Sequence, residues 1–156
     1  TPDFMGNPMQ LQKVMAAEPD VFAHNIETVP RLDPEVRPQA SQQRSLTVLK
    51  RARQLASNTR IKTGIMLGLG ETVAEVVEVM KSAAAVGVDI FPVGQYLQPT
   101  PDHHPVLKYY SPEEFDEIGK LGREVGLSWV ESGPLVRSSY HAREQSESHD
   151  KAVTSE

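Results

Sequence analysis

Short apolar stretches closed by glycine or polar residues set the pattern of this chain. The run from Ile65 to Leu69 is apolar without alternation, which is typical of a strand covered on both faces in a parallel sheet. The stretches DVFAHNIETV, GVDIFPV and LSWVES each predict a further strand.

Segments with a helical apolar period separate these strands. Helices are predicted to begin at Pro8, near Ser41 (running to Leu55), after Thr72 and after Ser111. The predicted capping pairs are Asn7 with Gln10, Thr72 with Glu75, and Ser111 with Glu114. The positions predicted to face the core are Leu11, Val14 and Met15, then Leu46, Leu49 and Ala52, then Val76, Val77, Met80 and Ala84, and last Phe115, Ile118, Leu121 and Val125.

Glycine and proline modify this prediction in two places. Gly119 and Gly122 weaken the last helix, because glycine costs about 1 kcal/mol relative to alanine in a helix interior. Pro30, Pro34 and Pro38 predict a long loop without regular structure.

The alternation of strands with helices predicts parallel βα units and an α/β fold. If these units form part of a barrel, chemistry belongs at the carboxyl ends of the strands. The polar residues that fall there are His24, Asn25 and Glu27 after the first strand, Gly68, Gly70 and Glu71 after the second, and Gln95, Tyr96 and Gln98 after the third.

Composition narrows the classes of function. A net charge of -5 with scattered Lys and Arg does not indicate a nucleic-acid surface, and no apolar run is long enough for a membrane span. The absence of cysteine excludes disulfides and a self-contained iron–sulfur site. Because the chain starts at Thr1 without a visible leader, we expect a fragment of a longer protein. Residues 1–142 are expected to form one unit, and the polar, aperiodic residues 143–156 a disordered tail.

Two motifs are weak candidates for chemistry. GLGET lacks the third glycine of a dinucleotide fingerprint, because Val73 stands there, and it favours a tight turn; a ligand approaching its glycine backbone is the alternative. His24 and Asn25 are neighbours on a strand, so they point to opposite faces and cannot hold a metal by themselves. His103 and His104 lie in a proline-rich loop and are expected to be solvated.

The segment ESGPLVRSSYHA places two adjacent hydroxyls, those of Ser138 and Ser139, between Arg137 and Tyr140. Serine is common in turns, so a surface turn is one interpretation. The other interpretation is a binding role for the two hydroxyls, and these residues alone do not decide between a turn and a binding role.

Several segments, in order along the chain, resemble the lipoyl synthase family of the radical S-adenosylmethionine (SAM) superfamily. They are TPDFMGN, DVFAHNIETVPRL, VRPQASQQRSL, KTGIMLGLGET, VGQYLQPT, HHPV and ESGPLVRSSYHA. The resemblance extends to about Gln145 and implies the C-terminal part of a parallel (β/α) partial barrel of radical SAM type. Residues 64–71 resemble the superfamily element G-x-I-x-G-x-x-E only with Met66 in the isoleucine place.

The resemblance implies a sulfurtransferase. In this family two sulfur atoms are inserted at C6 and C8 of an octanoyl chain, which is held on a lysine of a lipoyl carrier domain or of the glycine cleavage H protein. The implied cofactors are SAM and two 4Fe–4S clusters, and the implied electron donor is a ferredoxin or a flavodoxin. No nucleic-acid or membrane partner is implied.

The resemblance also implies site residues. Those expected at SAM are Asn25, Glu27, Gly68, Gly70, Glu71, Gln95, Tyr96 and Leu97. Asn25 and Glu27 are expected to face the ribose or methionine portion, Glu71 to brace its loop, and residues 95–97 to meet adenine. The RSSY motif implies that Ser139, or alternatively Ser138, is an oxygen ligand of the auxiliary cluster, supported by the charge of Arg137.

The chain departs from the family at one point. The CxxxCxxC and CxxxxCxxxxxC motifs that bind the two clusters are absent, so this fragment alone is expected to be inactive. The alternatives are a non-catalytic binding module for a lipoyl carrier domain and another radical SAM sulfurtransferase. The cytoplasm is the favoured location, as for a bacterial protein; a eukaryotic one would be mitochondrial.

Overall fold

The computed structural model describes residues 1–139, in which helices and strands alternate. The helices are α1 (Pro8–Met15), α2 (Asp33–Val36), α3 (Gln42–Leu55), α4 (Val73–Ala85) and α5 (Pro112–Glu124), with 3₁₀ turns at Phe4–Gly6 and Pro30–Leu32. The strands are β1 (Val21–Ala23), β2 (Arg60–Lys62), β3 (Ile65–Leu67), β4 (Ile90–Gln95) and β5 (Trp129–Gly133). Within these residues no helix has the length and apolarity needed to cross a bilayer. The predicted tail, 143–156, lies outside the described residues.

Every pairing between these strands is parallel. β1 pairs with β2, both β2 and β3 pair with β4, and β4 pairs with β5. Because Lys62 opposes Ile90 and Ile65 opposes Val93, β2 and β3 form one interrupted row beside β4. The rows therefore follow chain order, with a helix between each row and the next. This arrangement confirms the predicted α/β fold and matches part of a parallel (β/α) barrel.

The two faces of the sheet differ in what covers them. Phe22, Ile61 and Phe91 are at most 1% exposed and belong to the core beneath the helices. By strand alternation, Lys62 and Glu131 lie on the opposite face, which turns inward in a barrel. Burial lowers the pKa of Lys62, and the charge of Glu131 opposes that shift.

The helix starts are mostly as predicted. Complete capping boxes stand at Thr72 with Glu75 and at Ser111 with Glu114. Asn7 caps α1 as predicted, with its side chain accepting from the Met9 amide at 3.0 Å, but the predicted capping box with Gln10 is wrong.

The proline-rich loop is more regular than predicted. A 3₁₀ turn at Pro30–Leu32 runs into α2, so the prediction of no regular structure over this segment is wrong. Pro30 and Pro34 lie at the starts of these helical turns, where a missing N–H leaves no hydrogen bond unmade.

Two predicted helix faces are rotated relative to the structure. The buried residues of α4 are Val76, Val79, Met80 and Ala83, whereas Val77 and Ala84 are half-buried. On α3, Leu46 is half-buried, and the buried residues are Ser45, Val48, Leu49 and Ala52. The sequence pattern located both helices but not the direction from which the sheet covers them.

The glycines of α5 allow this helix to approach β5 closely. A Cβ on Gly122 would lie 3.0 Å from Val130 Cγ2 and 3.1 Å from Met80 Sδ, and one on Gly119 would lie 3.2 Å from Ser132 Cβ. These glycines thus serve helix–sheet packing, which offsets their low helix propensity.

Candidate functional site

A cleft of about 400 Å³ opens beside the carboxyl ends of β3 and β4. Of the residues predicted from the sequence, the cleft brings together Asn25, Glu27, Gln95, Leu97, Arg137 and Ser138. A second cleft, of about 550 Å³, adjoins it and shares Asn25, Glu27 and Ser138. Residues from the two ends of the described chain therefore meet at one mouth.

Asn25 and Glu27 lie on the segment that extends β1 toward this mouth. The Glu27 amide donates to the Gly64 carbonyl at 3.0 Å, and the Glu27 carbonyl accepts from the Met66 amide at 2.8 Å. Glu27 has a φ of 72°, a left-handed conformation that is costly for a residue other than glycine. Among residues 1–139 neither the Asn25 amide group nor the Glu27 carboxylate has a hydrogen-bond partner, so both are available to a ligand.

The loop after β3 is held from within. Glu71, 7% exposed, accepts hydrogen bonds from the amides of Gly68 at 2.7 Å and Leu69 at 2.9 Å. Gly68 and Gly70 have φ values of 109° and 106°, which glycine adopts without strain. Gly68, Gly70 and Glu71 do not line the cleft, so Glu71 occupies a bracing position, and contact of this loop with SAM stays a prediction.

Of the side chains after β4, some make hydrogen bonds within the protein and others line the cleft. The Gln95 amide donates to the carbonyls of Leu67 and Lys108, both at 3.0 Å, and its oxygen accepts from the Tyr110 amide at 3.1 Å. The Tyr96 hydroxyl donates to the His104 carbonyl at 2.8 Å, and Tyr96 lies outside the cleft lining. Leu97 is 53% exposed and offers an apolar wall.

A tight turn follows β5 and carries the two serines. The Val136 amide donates to the Gly133 carbonyl at 3.1 Å, and Arg137 Nη1 donates to the Val136 carbonyl at 2.7 Å. Ser138 lines both clefts, and Ser139 is exposed beside it. Tyr140 lies outside the described residues. Arg137 therefore braces its own turn as well as placing a positive charge at the mouth.

Two glycines of the cleft were not predicted as site residues, although Gly64 begins the segment that resembles the G-x-I-x-G-x-x-E element. Gly64 has no room for a side chain, because a Cβ there would lie 2.7 Å from Pro92 Cγ. Gly94 lies within β4, where the carbonyl of Val136 crosses it. A lone glycine inside a strand pattern marks a close backbone approach, and that pattern was visible in the sequence.

The histidines are used structurally. His24 is buried, and its ring nitrogens lie 2.9 Å from the Thr1 carbonyl and 2.8 Å from Ser45 Oγ. The prediction that His104 is solvated is wrong, since its side chain is 14% exposed and Nε2 lies 2.9 Å from the Leu69 carbonyl. His103 is exposed and contacts Thr100. Across residues 1–139 no three His, Cys, Asp or Glu side chains form a metal-binding group.

His24 is expected to make stability depend on pH. Burial lowers the pKa of His24 below its ordinary value of 6.5, and the charge of Arg37 acts in the same direction. Protonation is therefore harder in the folded state, so this contribution to stability is complete above 6.5 and is lost as pH falls through the lowered pKa. Urea unfolding between about pH 7.5 and 5.5 should show a slope that His24→Gln removes. His103→Gln, an exposed control, should keep the slope; an unchanged slope in His24→Gln would contradict the prediction.

A parallel α/β sheet with a cleft at its carboxyl strand ends places this protein among α/β proteins with part of a parallel (β/α) barrel. No protein-family model matches the chain. It is 55% identical over 147 residues to a lipoyl synthase of Rubrobacter xylanophilus, covering 94% of this chain and 46% of that protein. For lipoyl synthases of Xylella fastidiosa (strain M23) and Koribacter versatilis the identities are 51% and 49%, over 93% and 94% of this chain and 40% and 48% of those proteins. The chain is a homologue of the lipoyl synthases, as its motifs predicted, and it spans about half the length of these curated relatives.

Proposed function

We propose that this chain is the C-terminal part of a lipoyl synthase, an enzyme of lipoate biosynthesis, and that its cleft holds SAM in the complete protein. The observation that carries the proposal is the meeting of Asn25 and Glu27 with Arg137 and Ser138 at one mouth. Identity near 50% to curated lipoyl synthases supports the same assignment. The proposed location is the bacterial cytoplasm.

The residues of the cleft suit the parts of SAM. The Asn25 amide and the Glu27 carboxylate offer a donor and acceptors for ribose hydroxyls and for the methionine ammonium group. Leu97 and Met66 give apolar surface for the adenine ring. Glu71 acts indirectly, because its carboxylate holds the loop after β3 in place.

The fit to an iron–sulfur cluster is partial. The chain contains no cysteine, so the thiolate ligands of both 4Fe–4S clusters have to come from residues outside it. What this chain offers is a hydroxyl oxygen, from Ser139 or from Ser138, on a turn that Arg137 braces. When bound, SAM and the two clusters supply the radical and sulfur chemistry of this enzyme class.

The proposed role of the chain's own residues is to bind and orient SAM and the substrate and to keep water away from them. The floor of the cleft is made of Gly64, Pro92 and Gly94, which add no polar side chain to it. An octanoyl chain on a lipoyl carrier domain or the glycine cleavage H protein is the proposed substrate. A ferredoxin or flavodoxin is the proposed electron donor.

By itself the chain fits a second candidate function. Because it lacks cysteine, it can bind SAM or a carrier domain without redox chemistry, as a non-catalytic binding module does. Another radical SAM sulfurtransferase is the third candidate. Upstream sequence with both cysteine motifs favours the synthase over the module, and lipoyl product separates the synthase from other sulfurtransferases.

Asn25→Ala tests the proposed SAM site. In the complete protein we expect SAM affinity to fall by up to about tenfold, because one or two hydrogen bonds are lost. Isothermal titration with SAM measures it. Asn58→Ala is the matched control, since Asn58 is exposed and lines a different cleft. Unchanged affinity in Asn25→Ala would remove Asn25 from the site.

A further inference from the structure

Gly94 lies where the turn after β5 crosses the sheet. Its register partners are Met66 on β3 and Gly133 on β5, so it occupies an inner row at the mouth of the cleft. A Cβ on Gly94 would collide with the Val136 carbonyl oxygen and would lie 3.3 Å from the Val136 carbonyl carbon. It would also lie 3.4 Å from Arg137 Nη1. The turn thus occupies the space that any side chain at this position needs.

The turn cannot easily move aside. The Val136 amide is bound to the Gly133 carbonyl, and the Val136 side chain is 7% exposed. Arg137 Nη1 donates to the same Val136 carbonyl that faces Gly94. The carbonyl is therefore fixed by its own turn, and a side chain at position 94 must lift the whole segment.

We propose that Gly94 is a positioning residue, which seats residues 136–139, the serine turn, at the mouth of the cleft. Its consequence for the auxiliary cluster rests on the proposed function, but the seating itself does not. Ser138 shares the cleft with Asn25 and Glu27, so lifting the turn separates the hydroxyls from the other site residues. A displacement of about 1 Å is enough to disrupt a preorganised site.

Gly133 provides the matched control. It is the register partner of Gly94 on β5, and a Cβ there would meet only Val136 Cγ2, at the ordinary contact distance of 3.4 Å. Gly94→Ala and Gly133→Ala thus make the same chemical change in one row of the sheet, and only the first obstructs the serine turn.

The test uses the full chain and a nitroxide label. Because the sequence has no cysteine, Leu135→Cys, at a position 80% exposed, gives a single attachment site directly before the serine turn. In Gly94→Ala we expect the label to become more mobile. We also expect exchange of the Val136 amide, which donates to the Gly133 carbonyl, to accelerate at least about tenfold. Gly133→Ala should leave both unchanged. Equal behaviour of the two variants would overturn the proposal.

A second measurement does not depend on the folding of a variant. In the unmodified chain, nuclear Overhauser contacts should join the Gly94 α protons to the Arg137 guanidinium protons, because Arg137 Nη1 lies 3.4 Å from the Cβ position of Gly94. The absence of these contacts would overturn the seating. In the complete protein, Gly94→Ala should alter the Mössbauer spectrum of the auxiliary cluster. A displaced turn with an unaltered spectrum would support the seating and contradict the proposed serine ligand.

Discussion

Ser139→Ala in the complete protein is expected to lower lipoyl product at least about tenfold, the scale on which the loss of a metal-site interaction acts. SAM cleavage to 5′-deoxyadenosine should continue, because the ligands of the radical SAM cluster lie outside this chain. The proposed auxiliary cluster would lose an oxygen ligand, which is harder than thiolate and holds iron less firmly. The measurement is product per enzyme in a single turnover, with Mössbauer spectra of both clusters.

Ser138→Ala and Ser139→Cys are the companion variants. Ser138→Ala is expected to be milder, and Ser139→Cys should retain a cluster but insert sulfur poorly. Both serines are exposed, and of the two Ser138 is the one that lines the cleft. If Ser138→Ala loses product while Ser139→Ala does not, the ligand is Ser138. Wild-type product from both alanine variants would leave the pair as a surface turn.

Glu71→Ala is expected to lower the free energy of unfolding by about 3 kcal/mol, since a buried unsatisfied donor costs about 1–3 kcal/mol and two are left. The Glu71 carboxylate accepts from the Gly68 and Leu69 amides, which are both buried. That loss is a large fraction of the stability of an ordinary domain. Urea unfolding of the chain measures it.

Glu78→Ala is the matched control for this prediction. The Glu78 side chain is 71% exposed and, within residues 1–139, pairs only with Lys81, so its removal should change the free energy of unfolding by less than about 0.5 kcal/mol. A similar small change in Glu71→Ala would show that the loop after β3 does not depend on this carboxylate.

Local interactions explain why helix starts were predicted from the sequence. Thr72 and Ser111 cap their helices through residues three positions away, so all partners of the interaction lie within one short segment of sequence. The buried face of α4 was misjudged because Val77 and Val79 differ only in what packs over them. That depends on distant elements, which the pattern of a single helix does not contain.

In the candidate site, too, some residues were predicted from the sequence and others depend on distant contacts. Asn25 and Glu27 were predicted to reach the mouth because parallel strands bring their carboxyl ends to one edge, and they do line the cleft. The sequence did not predict that the Gln95 side-chain amide donates to backbone carbonyls within the protein. One of these carbonyls is that of Lys108, which lies in a loop whose sequence has no periodic pattern. His104 was misjudged for a related reason: its partner is the distant Leu69 carbonyl.

The serine turn can be placed only late in the assembly of this sheet. Glu27 is held by its hydrogen bonds to Gly64 and Met66, so its pairing uses no residue beyond Met66. The turn, in contrast, needs β5 already paired along β4, because it comes shortly after the end of β5 and crosses Gly94. A chain arrested before β5 docks would have the first residues of the cleft in place and no serine beside them. The residues proposed to bind the nucleoside would then be in place before the serine proposed to bind iron.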